Sequence, residues 1–103
     1  MRKAFVMKLR PGCRREYERR HGSIWPELKA VLKEHGVSSY SIFVHSDSDQ
    51  LFAYAEIESE ARWLEIAQAE SCQKWWAHMK DLMLTNDDNS PATINLDEVF
   101  HLD

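Results

Sequence analysis

Residues 39–57 read SYSIFVHSDSDQLFAYAEI, and this stretch decides the fold. Two runs rich in aliphatic and aromatic residues, Ser39–His45 and Leu51–Ile57, flank the polar segment Ser46–Asp49, whose residue types are typical of a turn. The pattern predicts a β-hairpin. Successive residues of a strand point to opposite faces, and in each run both sets of alternate residues include apolar or aromatic side chains. Neither face of the hairpin is therefore polar throughout.

Further elements are predicted on either side of this hairpin. On the N-terminal side, Lys3–Leu9 predicts a strand, and it is followed by a helical segment over Cys13–Arg20 and a second helix that starts near Pro26. On the C-terminal side the pattern predicts two more helices and a closing strand, over Ser59–Ala69, Ser71–Met83 and Thr93–Leu102. Residues 1–103 are therefore expected to form one domain.

Four residues are expected to begin or end these helices. Ser23, Ser59 and Ser71 are suitable N-caps, because a serine hydroxyl accepts a hydrogen bond from a free backbone N–H of the first turn. Gly36 is a suitable residue to end the second helix, since glycine adopts the left-handed backbone at little cost.

The order of elements is β-α-β-β-α-β, which is the ferredoxin-like arrangement of the α+β class. In this arrangement the helices cover one face of a mostly antiparallel sheet. Because the second face is also apolar, we expect something else to cover it, either a second subunit or a ligand in a pocket.

Composition excludes several classes of protein. The 103 residues contain 13 Lys and Arg against 17 Asp and Glu, and a net charge of −4 argues against a phosphate-backbone binder. No apolar run is long enough to span a bilayer, and the N-terminus does not resemble a secretory signal. Cys13 and Cys72 are isolated and form no disulfide framework. These features favour a cytoplasmic protein.

Tyr17 and His21 are four residues apart on the first helical segment and therefore share one face. A phenol and an imidazole that project together are able to exchange a proton with a substrate oxygen, and histidine does so near neutral pH. The alternative is that both residues only pack at the edge of the helix.

Aromatic residues form the second candidate group. Trp75 and Trp76 point about 100° apart on a predicted helix, so both line a pocket edge or one of them enters the core. Flat indole rings suit the C–H faces of a sugar, whereas polar neighbours bind its hydroxyls. Tyr40 begins a strand, and its hydroxyl needs a partner if buried, either a backbone group or a ligand.

No motif for a metal or an organic cofactor is present. The remaining histidines have no partners at metal-ligand spacing, and phosphate-cradling glycine motifs and the G-x-S-x-G motif are missing. We therefore expect chemistry that uses no cofactor and no metal.

Several segments together resemble one family over nearly the whole chain. They are RKAFVMKL, YERRHGSIWPEL, SYSIF, EIESEARW, CQKWW and NDDNSPATINLDEVFHL. In combination they are similar to the L-rhamnose mutarotases. This resemblance implies a cytoplasmic homodimer with a dimeric α/β-barrel architecture. It also implies a cofactor-independent isomerase that interconverts the α and β anomers of L-rhamnose in rhamnose metabolism.

The resemblance also implies roles for individual residues. His21 matches the proton donor of the family, and the residues that contact the sugar correspond to Tyr17, Tyr40, Trp75 and Trp76. Two other functions stay open at this stage. One is a cofactor-independent monooxygenase, because the same architecture supports several chemistries, and the other is a non-catalytic dimer that binds a small ligand.

Overall fold

Four strands form one antiparallel sheet in the computed structural model, which describes residues 1–103. They are β1 (Arg2–Lys8), β2 (Ser39–His45), β3 (Gln50–Glu56) and β4 (Ile94–Leu96). Their order across the sheet is β2-β3-β1-β4, and every neighbouring pair is antiparallel. The predicted hairpin is confirmed, and β2 has the expected bounds.

The helices are α1 (Arg14–Gly22), α2 (Pro26–Glu34), α3 (Glu60–Glu65) and α4 (Glu70–Met79). Short 3₁₀ turns extend the last two, over Ile66–Gln68 and Lys80–Leu82. The ferredoxin-like α+β prediction is therefore confirmed, with the first helical region divided into α1 and α2. No helix is both long and apolar enough to cross a membrane.

Two of the predicted helix boundaries are confirmed. The Ser59 hydroxyl accepts a hydrogen bond from the backbone N–H of Arg62 at 3.2 Å, as expected of an N-cap. Gly36 has φ of +86° directly after His35, the C-cap of α2, at a position where a side chain would strain the backbone.

The other two predicted caps are wrong. α2 begins at Pro26, whose preset φ suits a first helical position, and Trp25 rather than Ser23 precedes it. α4 begins at Glu70 with Ala69 as its N-cap, two residues before the predicted cap. Ser71 therefore lies inside the first turn, and its hydroxyl is buried without a hydrogen-bond partner.

The last strand is shorter than predicted. Only Ile94–Leu96 pairs with β1, with Ile94 opposite Val6 and Leu96 opposite Ala4. Continuing that register would place Asp97 opposite Lys3 and Glu98 opposite Arg2, yet neither residue joins the ladder. The residues after Leu96 alternate but form no ladder with β1, so alternation alone does not make them part of the sheet.

The core lies between the helices and one face of the sheet. It consists of inward-facing side chains of the strands packed against helix residues such as Tyr17, Leu28 and Trp75. The opposite face also carries apolar side chains: Phe43 is 64% exposed and Ile94 66%. The structure thus confirms that both faces of the sheet carry apolar groups.

Candidate active site

One large cavity, about 730 Å³ in volume, lies between the inner face of the sheet and the helices. Pockets for small ligands commonly measure about 300–1,000 Å³. The cavity brings together all five residues that the sequence analysis singled out, which are Tyr17, His21, Tyr40, Trp75 and Trp76. Helix α1 supplies the first two, β2 the third, and α4 the tandem tryptophans.

His21 is oriented by its own helix. Its Nδ1 lies 3.0 Å from the backbone carbonyl of Tyr17, one turn earlier. Because a carbonyl only accepts hydrogen bonds, Nδ1 carries the proton, and Nε2 is left free on a ring that lines the cavity. Burial lowers the pKa of His21 below its ordinary value of 6.5, and the bond to Tyr17 only partly opposes this effect.

Aromatic rings hold the imidazole on two sides. The Tyr17 ring lies 4.2 Å from the His21 ring, and the Trp75 ring is perpendicular to the His21 ring at 5.3 Å, centroid to centroid. Trp25 in turn packs edge-on against Trp75 at 5.1 Å. Trp75 is itself 93% buried, so it packs firmly against the imidazole.

Two phenol groups face the cavity without partners in the chain. The hydroxyls of Tyr17 and Tyr40 form no hydrogen bond with a protein group, although both side chains line the cavity. Burial raises the pKa of each, and for Tyr40 the nearby Tyr17 and Cys72 raise it further. Both phenols therefore stay neutral near pH 7 and are able to donate or accept hydrogen bonds without losing a proton.

Lys3 and Glu60 form an ion pair at the cavity wall that the sequence analysis missed. The Lys3 ammonium donates to Glu60 Oε1 at 2.8 Å and lies 5.9 Å from the ring centre of Trp63. The Lys3 side chain is only 14% exposed. A signal for it was present, because Lys3 shares its parity along β1 with the inward-facing Phe5 and Met7.

Polar residues near the C-terminal end of the chain were missed as well. The loop after α4 appeared in the sequence to be only a polar connection, yet it lines one side of the cavity. The cavity-lining residues from this part of the chain are Asn86, Asn89, Ser90, Pro91, Thr93 and Asn95. A mainly apolar cavity with hydrogen-bonding groups at its margin suits a compact polyhydroxylated ligand.

The arrangement does not resemble a metal site or a thiol enzyme. No three or more His, Cys, Asp or Glu side chains are placed to hold a metal ion. Cys72 lines the cavity, but burial raises the pKa of its thiol to about 11, so at neutral pH it is not a nucleophile.

The whole chain matches a known family. The model of the L-rhamnose mutarotase family matches residues 2–102. The chain belongs to the L-rhamnose mutarotase family. As a member it is an isomerase. An L-rhamnose mutarotase from Opitutus terrae is 59% identical over 103 residues, covering 100% of this chain and 99% of the relative.

One solved structure agrees with this family assignment, and a second shares only the fold. The crystal structure of an L-rhamnose mutarotase from Formosa agariphila has a TM-score of 0.92 and 44% identity, covering 100% of this chain and 99% of the other. A putative antibiotic biosynthesis monooxygenase from Nitrosomonas europaea has a TM-score of 0.66 at 8% identity, covering 96% and 89%. At that identity the second likeness shows the fold alone, so the monooxygenase alternative has no support beyond the shared architecture.

Proposed function

We propose that His21 is the proton donor with which this member of the L-rhamnose mutarotase family interconverts the α and β anomers of L-rhamnose. The observation that carries the proposal is the arrangement of the imidazole. Its Nδ1 is engaged by the Tyr17 carbonyl, whereas its Nε2 is free at the wall of the cavity. Only Nε2 is then available to exchange a proton with the sugar.

Opening of the sugar ring requires that the ring oxygen gains a proton and that the anomeric hydroxyl loses one. When the ring oxygen receives a proton from the imidazolium at Nε2, the bond between that oxygen and the anomeric carbon breaks. The anomeric hydroxyl gives up its proton to a base, and an aldehyde results. Rotation of the aldehyde and the reverse transfers close the ring on the other face. The lowered pKa of His21 makes its imidazolium a stronger acid towards a weakly basic oxygen.

The other cavity residues bind and orient the sugar in this proposal. The free hydroxyls of Tyr17 and Tyr40 bond to sugar hydroxyls, because burial keeps both phenols neutral. Trp76, which is less buried than Trp75, stacks on the apolar C–H face of the ring. Trp75 contacts the sugar at its edge and keeps His21 in plane.

We further propose that residues 1–103 act as one domain within a cytoplasmic homodimer. The outer face of the sheet supports the dimer, since a group of exposed apolar side chains of this kind marks an interaction site. Exposed apolar side chains lie there and in the segment after β4: Phe43, Phe52, Ile94, Leu96, Val99, Phe100 and Leu102. Two such sheets facing each other would form the dimeric α/β barrel.

Exchange NMR on L-rhamnose tests the role of His21, with His35 as a matched control. The ring of His35 also lies beside the carbonyl four residues earlier, with Nδ1 2.8 Å from Val31 O, but it does not line the cavity. We expect His21→Gln to slow anomer exchange by roughly 10²–10⁴-fold and His35→Gln to leave it unchanged. Wild-type exchange in His21→Gln would remove His21 from the mechanism.

A further inference from the structure

The loop Asn86–Pro91 is held in one shape by its own hydrogen bonds. The backbone N–H of Asn86 donates to the carbonyl of Ser90 at 2.8 Å, and the Asn86 carboxamide donates to the Ser90 hydroxyl at 3.0 Å. The backbone N–H of Ser90 donates to Asp88 Oδ1, also at 3.0 Å. The side chains of Asn86, Asp88 and Ser90 are therefore all engaged in stabilising the loop itself.

Asn89 differs from these neighbours. Its backbone has φ of +71°, its side chain is half-buried while residues 86–88 are exposed, and its carboxamide forms no hydrogen bond within the chain. It lines the main cavity and also a smaller polar cavity of about 350 Å³, and Ala67 and Trp76 are the other residues that border both. The loop thus holds a free carboxamide beside the indole proposed to stack on the sugar.

We infer that Asn89 is a specificity-determining residue whose carboxamide binds two neighbouring ring hydroxyls of the sugar. This inference rests on the proposed function. A carboxamide offers a donor and an acceptor side by side, which matches a pair of adjacent hydroxyls in one relative orientation. A site that hydrogen-bonds a particular hydroxyl rejects analogues that do not present it, because its own polar group is then left unpaired.

The left-handed backbone at residue 89 would by itself explain why asparagine occurs there. Substitutions distinguish this structural role from sugar binding. Asparagine and glycine both tolerate positive φ, so if Asn89 served only the loop, Asn89→Gly would be neutral. Asp49 provides a matched control. It has φ of +59° in the turn between β2 and β3, its side chain makes no hydrogen bond, and it lines neither cavity.

The test measures sugar binding by calorimetry and turnover by exchange NMR for wild type, Asn89→Gly, Asn89→Asp and Asp49→Gly. We expect both Asn89 variants to raise Kd and KM for L-rhamnose roughly three- to tenfold, the loss of one or two neutral hydrogen bonds, with kcat and Tm near wild type. Asp49→Gly should change neither constant.

Discrimination between sugars supplies the second readout. The ratio of the Kd for an epimer to the Kd for L-rhamnose should decrease in Asn89→Gly for at least one of the C2, C3 and C4 epimers. Preference over L-mannose, which has the same ring hydroxyls, should not change. Unchanged Kd and unchanged epimer preference in Asn89→Gly would overturn the role of Asn89 while leaving the proposed function intact. A wild-type chain that binds L-rhamnose yet does not accelerate exchange would overturn the proposed function instead.

Discussion

Arg20 on α1 binds Asp81 in the 3₁₀ turn after α4, with its two terminal nitrogens 2.9 and 3.3 Å from the carboxylate oxygens. The same guanidinium donates to the carbonyl of His78 at 2.6 Å and to Glu16 at 2.8 Å, and its side chain is only 14% exposed. Arg20 directly precedes His21, so this cluster joins the helix that carries the imidazole to the helix that carries the tandem tryptophans.

Loss of this connection should reduce activity without removing any group from the cavity. We expect Arg20→Met to lower kcat roughly tenfold or more with a smaller change in KM, because small displacements of a proton donor are costly. Arg20→Lys should restore part of the rate. Arg19 is the control, since it is exposed and pairs only with Glu16, so Arg19→Met should leave kcat unchanged. Equal rates in Arg20→Met and Arg19→Met would contradict a positioning role.

The pH dependence of exchange should report the protonation of His21. A proton donor must be an imidazolium, and burial holds the pKa of His21 below 6.5. We therefore expect the catalysed rate to fall as pH rises through that lowered pKa, after the buffer-catalysed rate at each pH is subtracted. Exchange NMR between pH 5 and pH 8 measures this. A catalysed rate that rises with pH over the same interval would assign His21 the role of base.

The stability of the folded chain should increase as pH rises, whereas the catalysed rate should fall. The unfolded chain binds a proton at His21 near pH 6.5, whereas the folded chain binds it only at lower pH, so acidification favours unfolding. The contribution of neutral His21 is fully present above pH 6.5 and is lost as pH falls through the folded pKa. As the pH is lowered from above 6.5 through the folded pKa of His21, we expect the Tm of the wild type to decrease more than that of His21→Gln. Parallel decreases would show that other groups cause the acid sensitivity.

Most of the framework of the fold was predictable from the sequence, because alternation and helical periodicity report which side chains a sheet or helix buries. The hairpin and the Ser59 cap are examples. The lengths of elements were less predictable, since they depend on partners distant in sequence. The segment after Leu96 alternates like a strand, yet only Ile94–Leu96 pairs with β1. Ser71 is displaced from the cap because α4 starts at Glu70, so that the N-cap is Ala69.

The residues of the candidate site were likewise only partly predictable from the sequence. Residue type and local spacing pointed to Tyr17 and His21, since one helical turn places them on one face. They did not point to the pair of Lys3 and Glu60, whose members are distant in sequence. Nor did they point to Asn89, whose importance depends on which of several polar residues the loop leaves without a partner. Such residues become recognisable only when their hydrogen bonds are accounted for.

Two glycines should respond oppositely to replacement by alanine. At Gly36, φ is +86° and an added Cβ would lie 2.5 Å from the Cβ of Glu58, so Gly36→Ala should destabilise the protein by about 1–2 kcal/mol or more. At the helical Gly22 nothing lies within 4 Å of an added Cβ. Gly22→Ala should therefore stabilise by about 0.4–1 kcal/mol. Urea unfolding at fixed protein concentration measures both, and a change of the same sign would contradict this account.

The outer face of the sheet should determine the oligomeric state. Phe43, Phe52, Val6 and Ile94 form one cross-strand row on that face, and a carboxylate placed in a buried apolar row loses its hydration. We expect the wild type to sediment as a dimer at micromolar concentration and Phe43→Asp as a monomer. Leu64→Asp on α3 is the control, because Leu64 is 62% exposed, like Phe43 at 64%, but lies on the helical side. A dimeric Phe43→Asp, or dissociation by Leu64→Asp alone, would place the interface among the helices.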